Sequence, residues 1–105
     1  MSTKKIQILG SLSQSKARIS YVDLLAANWQ VDEATGAYYQ IVEIDGVTEN
    51  SQVDLTPSVE QLVTFYDKDL GFVTENEGGE VKIYAIGQMP QNDYTIQVTI
   101  TEVDV

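Results

Sequence analysis

The last stretch of the chain, NDYTIQVTITEVDV, alternates without interruption. Tyr94, Ile96, Val98 and Ile100 fall on one face, and Thr95, Gln97, Thr99 and Thr101 on the other. A strict period of two predicts a half-buried antiparallel strand. Just before it, GFVTENEGGEVKIYAIG reads as two strands joined through Asn76-Glu77-Gly78-Gly79, where adjacent glycines supply positive φ. The second of these strands sets Val81, Ile83 and Ala85 on one face against Lys82, Tyr84 and Ile86 on the other. Gly87, Pro90 and Asn92 form the loop into the last strand.

The period changes in LTPSVEQLVTFYDKDLGF. Val59, Leu62, Val63, Tyr66 and Leu70 are spaced i, i+3, i+4, i+7 and i+11, which predicts one amphipathic helix with Leu62 and Val63 in the core. Two starts are open to it: Thr56 as N-cap with Pro57 at the first helical position, or Ser58 with Gln61 as a capping box. Gly71 is the expected stop, with Lys68 in the last turn. Upstream, residues 37–44 read as a strand closed by the Asp45-Gly46 turn, and SQVDL as a short strand before the helix. ISYVDLLAANW is read as strand for its Ile19, Tyr21 and Val22, and KKIQILG as a first strand or an arm laid on a neighbour. Six or seven short strands and one short α-helix make an antiparallel β-sandwich, jelly-roll-like.

At 105 residues and 43% hydrophobic the chain is sized for one domain with one core. Charge divides it. Residues 1–18 hold Lys4, Lys5, Lys16 and Arg18 and no acid, whereas residues 19–105 hold two lysines against sixteen acids, a net −14. The division expected is a basic N-terminal arm, residues 1–18, and a β-sandwich domain, residues 19–105. So acidic a body repels phosphate backbones and anionic headgroups, so neither nucleic acid nor membrane is an expected partner. The arm, with Ile6 and Ile8 alternating with polar residues, is expected to use Lys4, Lys5, Ile6 and Ile8 in assembly as an added strand.

The missing residue types narrow the chemistry. With no Cys and no His there is no thiolate, no imidazole base and no soft metal ligand, so neither metal nor cofactor is expected. Asp32 with Glu43, or Glu75 with Glu77 and Glu80, are the carboxylate sets a glycosidase reading would nominate. They sit mostly at turns, where solvated surface is the simpler reading, and neither DEATG nor ENEGGE has the spacing of a calcium loop. Serine and threonine lack a base: Lys4, Lys5 and Lys16 belong to the arm, Lys68 to a helix end and Lys82 to a polar strand face. The chain is therefore read as non-enzymatic. Trp29, Tyr38 and Tyr39 remain as candidate ligand-binding aromatics, either stacking on sugar rings or packing in a core or subunit contact; adjacent Tyr38 and Tyr39 must point to opposite strand faces. The apolar part of the first twenty residues is too short for a signal peptide, and no transmembrane run exists, so synthesis in the bacterial cytoplasm is expected.

LLAANWQVDEATGAYYQIVEIDGVTENSQVDLTPSVEQLVTFYDKDL followed by TENEGGEVKIYAIGQMPQNDYTIQVTI resembles a small β module of phages and prophages of Gram-positive gut bacteria. The shared features, over about residues 23–103, are a Trp near the start of a hairpin, a GVT turn, a VDLTPS-like strand into a helix, and a last strand after G-x-x-P. KKIQILGSL is similar to the opening of several phage appendage proteins. The resemblance implies a virion structural protein of a tail or baseplate appendage, concerned with host attachment. Such modules often tip longer, stalked chains. Here some twenty residues precede the module and the chain starts at Met1, which is read as a complete small gene product. The partners so implied are further copies of the chain, a trimer by the family's habit, and other phage structural proteins. A carbohydrate-binding module acting on a cell-surface glycan is the alternative.

Overall fold

The computed structural model describes residues 15–103. Seven strands and one helix follow in order: β1 Ser15–Leu24, β2 Gln30–Val31, β3 Tyr38–Val42, β4 Ser51–Leu55, α1 Val59–Asp67, β5 Gly71–Glu77, β6 Glu80–Ile86 and β7 Tyr94–Val103, with a single 3-10 turn at Ala26–Asn28. They form two antiparallel sheets, β1-β7-β4 and β2-β3-β6-β5, facing each other as a β-sandwich. Because β7 is central to its sheet, its alternation sets the inner face. Ile96, Val98 and Ile100 are wholly buried, and they cluster with Val81 and Ile83 of β6 and with Val22, Leu24 and Val53; Ala85 of β6 is buried as well.

Polar side chains close both seams between the sheets. Gln40, buried on β3, is bonded twice to the backbone of Leu25: its Oε1 accepts from the amide at 3.2 Å and its Nε2 donates to the carbonyl at 3.1 Å. On the other side Thr74 Oγ1 donates to the Val53 carbonyl at 2.7 Å, and Asn76 Nδ2 donates to the carbonyls of Thr48 and Ser51, each at 2.8 Å. These bonds satisfy groups at strand edges that would otherwise be stranded away from water. The β5–β6 hairpin turns on Gly78 (φ 64°) and Gly79 (φ 98°), between the paired residues Glu77 and Glu80. Positive φ at both loop positions is the requirement of a type I′ turn, which matches strand twist.

β1 begins at Ser15 and pairs with β7 from Ser15↔Val103 to Leu24↔Tyr94. The last four residues of the expected arm are therefore part of the sheet, and Arg18 Nη2 donates to the Asp45 carbonyl at 2.8 Å. Lys4, Lys5, Ile6 and Ile8 lie outside the described residues.

Of the two starts open to α1, the capping box forms. Ser58 Oγ accepts from the Gln61 amide at 3.2 Å, and Gln61 Oε1 accepts from the Ser58 amide at 3.3 Å. The helix stops before Gly71. Asp69 takes the left-handed conformation (φ 58°), the Leu70 amide bonds the Phe65 carbonyl and the Asp69 amide that of Tyr66, a Schellman motif. Gly87 (φ 104°) passes so close that a Cβ there would fall 2.3 Å from the Asp69 carbonyl oxygen.

The roll of α1 differs from the expectation. Val59, Leu62, Val63 and Tyr66 are 77, 53, 55 and 85% exposed, and Phe65 is the helix's buried residue. Leu62 and Val63 are not core residues; only Leu70, beyond the helix, packs against the core as its place in the stripe implied. Phe65 sits edge-on to Phe72 (ring centroids 4.9 Å apart) and Tyr94 (5.1 Å), while Gln61, one turn earlier, donates through Nε2 to the Thr95 carbonyl at 2.8 Å. One large ring in an aromatic pocket and a backbone bond on the same face orient a nine-residue helix, and the aliphatic stripe is turned outward.

Two outcomes follow. Phe65→Ala should lower unfolding stability by about 3–5 kcal/mol, whereas Val63→Ser should change it by less than about 0.5 kcal/mol, measured by urea denaturation; a large loss at Val63 would place that side chain in the core after all. Asp69→Gly should raise stability by about 0.5–1 kcal/mol, because glycine takes the left-handed position without strain and one acid leaves the negative helix end. A destabilised Asp69→Gly protein in the same assay would contradict the capping geometry.

Candidate binding surfaces

The acids considered for chemistry are dispersed. Asp32 is engaged in its own turn, its carboxylate accepting from Thr35 Oγ1 at 2.7 Å and from the Ala34 amide at 3.3 Å. Glu75 and Glu77 are exposed on β5, and Glu80 starts the next strand opposite Glu77. Among the described residues no group of three or more acids converges as a metal site would require.

The three candidate aromatics part company. Trp29 turns inward, packs against the core and stacks on Phe72, with ring centroids 6.2 Å apart and planes at 27°. Tyr38 lies on the inner side of β3, in register with buried Ala85. Trp29 is part-buried and also borders an open cavity of about 380 Å³ with Gln30, Gln40 and Ile41, while alternation assigns Tyr38 to the face of Gln40. Tyr39 alone points outward, and register brings it beside Tyr84 of β6, ring centroids 5.9 Å apart.

This pair is the centre of a patch on the outer face of the four-stranded sheet. The Lys82 ammonium lies 5.4 Å from the Tyr39 ring centroid, within cation–π range, and 3.1 Å from Glu77 Oε1. The Tyr84 hydroxyl is 3.5 Å from Glu75 Oε1. The hydrogen bond from Lys82 holds the Glu77 carboxyl below its ordinary value, and the same bond raises Lys82. Desolvation, then the nearby Glu75 charge, raise the Tyr84 phenol. The patch thus offers two aromatic rings flanked by the Lys82 ammonium and the carboxylates of Glu75 and Glu77, with exposed Ile41 and Val73 beside them. Tyr84 was recognisable as outward from its own strand, but nothing in the sequence pairs it with Tyr39; that comes from the β3–β6 register.

A second surface is the uncovered side of α1. Between the helix and the sandwich runs a cleft of about 340 Å³ lined by Leu55, Pro57, Leu62, Phe65, Tyr66 and Phe72. It reaches the buried Phe65 ring from outside, and Val59 and Val63 extend its apolar border along the helix. Glu60 marks the N-terminal end of α1, and Asp67 and Asp69 the C-terminal end, against Lys68 alone.

Comparison with protein families, curated proteins and solved structures finds no match to this chain. Among the described residues no helix is long and apolar enough to cross a membrane.

Proposed function

We propose that the chain is a non-enzymatic structural protein of a phage or prophage virion, a tail or baseplate appendage module that acts in assembly or host attachment. The observation that carries the assembly role is the outward apolar stripe of α1 and the cleft beneath it. A sandwich that has satisfied its own core with Phe65 gains nothing internally from Val59, Val63 and Tyr66. Apolar surface of this kind, rimmed by charge, is what a docking face presents. The resemblance of residues 23–103 to phage appendage modules supplies the setting, and the acidic body favours a protein partner over nucleic acid or membrane.

A second reading has its own observation: Tyr39 and Tyr84, side by side on the outer face of the sheet and flanked by Lys82, Glu75 and Glu77, suit the apolar face and hydroxyl rim of a sugar ring. In that reading the patch binds a cell-surface glycan.

Mass spectrometry of particles purified from an induced culture of the source strain should find the chain in stoichiometric amount with tail proteins. Its confinement to the particle-free supernatant would overturn the virion assignment. For the glycan reading, array binding should be abolished by Tyr39→Ala and by Tyr84→Ala in proteins that keep the β circular-dichroism spectrum, and should survive Tyr66→Ala. Binding unaffected by both sheet substitutions would remove the patch from consideration.

A further inference from the structure

We infer that the α1 cleft is the receptor for the N-terminal segment of a second copy of this chain, residues 4–9, KKIQIL. The inference rests on the assembly reading above and names its partner. Three observations converge on it.

The first is chemical fit. The cleft and the helix stripe are apolar, through Leu55, Leu62, Val63 and Tyr66, while the segment brings Ile6, Ile8 and Leu9. An extended peptide that alternates apolar and polar residues places Ile6 and Ile8 on one side, so both can enter one groove.

The second is charge. Lys4 and Lys5 are the charged residues of the segment, and no acid accompanies them. The C-terminal end of α1 carries Asp67 and Asp69 as well as the negative end of the helix dipole, and the body as a whole is acidic. Two ammonium groups just ahead of the isoleucines would lie against that end as the isoleucines enter the cleft.

The third is reach, which decides whose segment it is. Ser15 pairs with Val103, whereas the cleft is floored by Ile96, which pairs with Val22. Seven residues of strand put the cleft about 23 Å along the sheet from Ser15, and its position by β4, two strands from β1, adds about 10 Å sideways. The straight-line separation is thus about 25 Å. Fully extended, Leu9 reaches at most about 22 Å from Ser15 and Ile8 about 25 Å, but β1 runs from Ser15 toward the cleft, so a segment bound for its own cleft must first reverse direction, and the residues spent in that turn shorten both reaches. A chain's own segment would have to be drawn taut along its own sheet after that reversal to bring Ile8 and Leu9 to its cleft, whereas a neighbour's is under no such limit. Mutual exchange of segments generates a two-fold dimer, and head-to-tail exchange generates a ring where its rotation closes.

The test uses the full chain and an arm variant, Ile6→Asp with Ile8→Asp, which leaves every described residue intact. By light scattering at micromolar concentration the full chain should be oligomeric and both the arm variant and Tyr66→Asp monomeric, all three with the same β circular-dichroism spectrum. A labelled peptide of residues 1–14 should bind the arm variant in fluorescence anisotropy, with affinity lowered at least about tenfold by Tyr66→Asp or by Val63→Asp, and lowered by added salt. Three results would each overturn the inference: a full chain monomeric throughout, an arm variant that still assembles, or peptide binding indifferent to both helix substitutions. None of these bears on whether the chain is found in particles, so the assembly partner can fail while the virion assignment stands.

Discussion

The structure depends on one packing contact, the inner face of β7 against the inner face of β6. Ile96, Val98 and Ile100 cluster with Val81 and Ile83, all of them sealed from solvent, and Ala85 of β6 is buried as completely. Each belongs to a strand central in its sheet, so the contact joins four further strands through their ladders: β1 and β4 on β7, β3 and β5 on β6. Fully burying an aliphatic side chain of this size stabilises by roughly 1.5–3 kcal/mol. Five such residues, Val81, Ile83, Ile96, Val98 and Ile100, in one cluster make the contact strong enough to organise the remainder.

Away from this centre hydrogen bonds join an outer ring of apolar and aromatic packing in holding the sandwich together. Gln40, Thr74 and Asn76 bridge from one sheet to backbone groups at the edge of the other. Ser51 Oγ donates to Glu102 Oε1 at 2.6 Å and also accepts from the Thr48 amide at 2.9 Å, joining β4, its preceding turn and β7. A small domain with polar seams and an aliphatic centre leaves the helix little to cover. α1 is fixed by Phe65 at one point and by caps at both ends, and its remaining apolar residues are free to face a partner.

The two surfaces differ in physical kind. The Tyr39–Tyr84 patch is amphipathic and charged at its edge, its rings tilted 40° to each other, with Lys82 shared between a ring and Glu77. The α1 surface is concave and aliphatic, with its charges at the helix ends. Ligands that expose hydroxyls suit the former, and peptide side chains the latter. They lie on different parts of the fold, so attachment and assembly need not compete for one surface.

Much of this was legible in the sequence because strand alternation is local. The inward set on β7, the Val81-Ile83-Ala85 face, the Gly78-Gly79 turn and the Ser51–Leu55 strand follow from neighbours within a few residues, as does the Ser58–Gln61 cap. Each is decided by backbone periodicity or turn chemistry that operates before any long-range contact forms. The outward position of Tyr39 and the inward one of Tyr38 could be told to be opposite, though not which was which. Three matters were left to tertiary structure. Register between β3 and β6, strands some forty residues apart, set Tyr39 beside Tyr84. The pairing of β1 with β7 drew Ser15 to Arg18 into the sheet, although charge had grouped them with the preceding residues. The roll of α1 went against its most regular stripe. Periodicity counts apolar positions equally, but burial is decided by how much surface each removes and by what stands opposite, and only Phe65 met a pocket of matching shape in Phe72 and Tyr94.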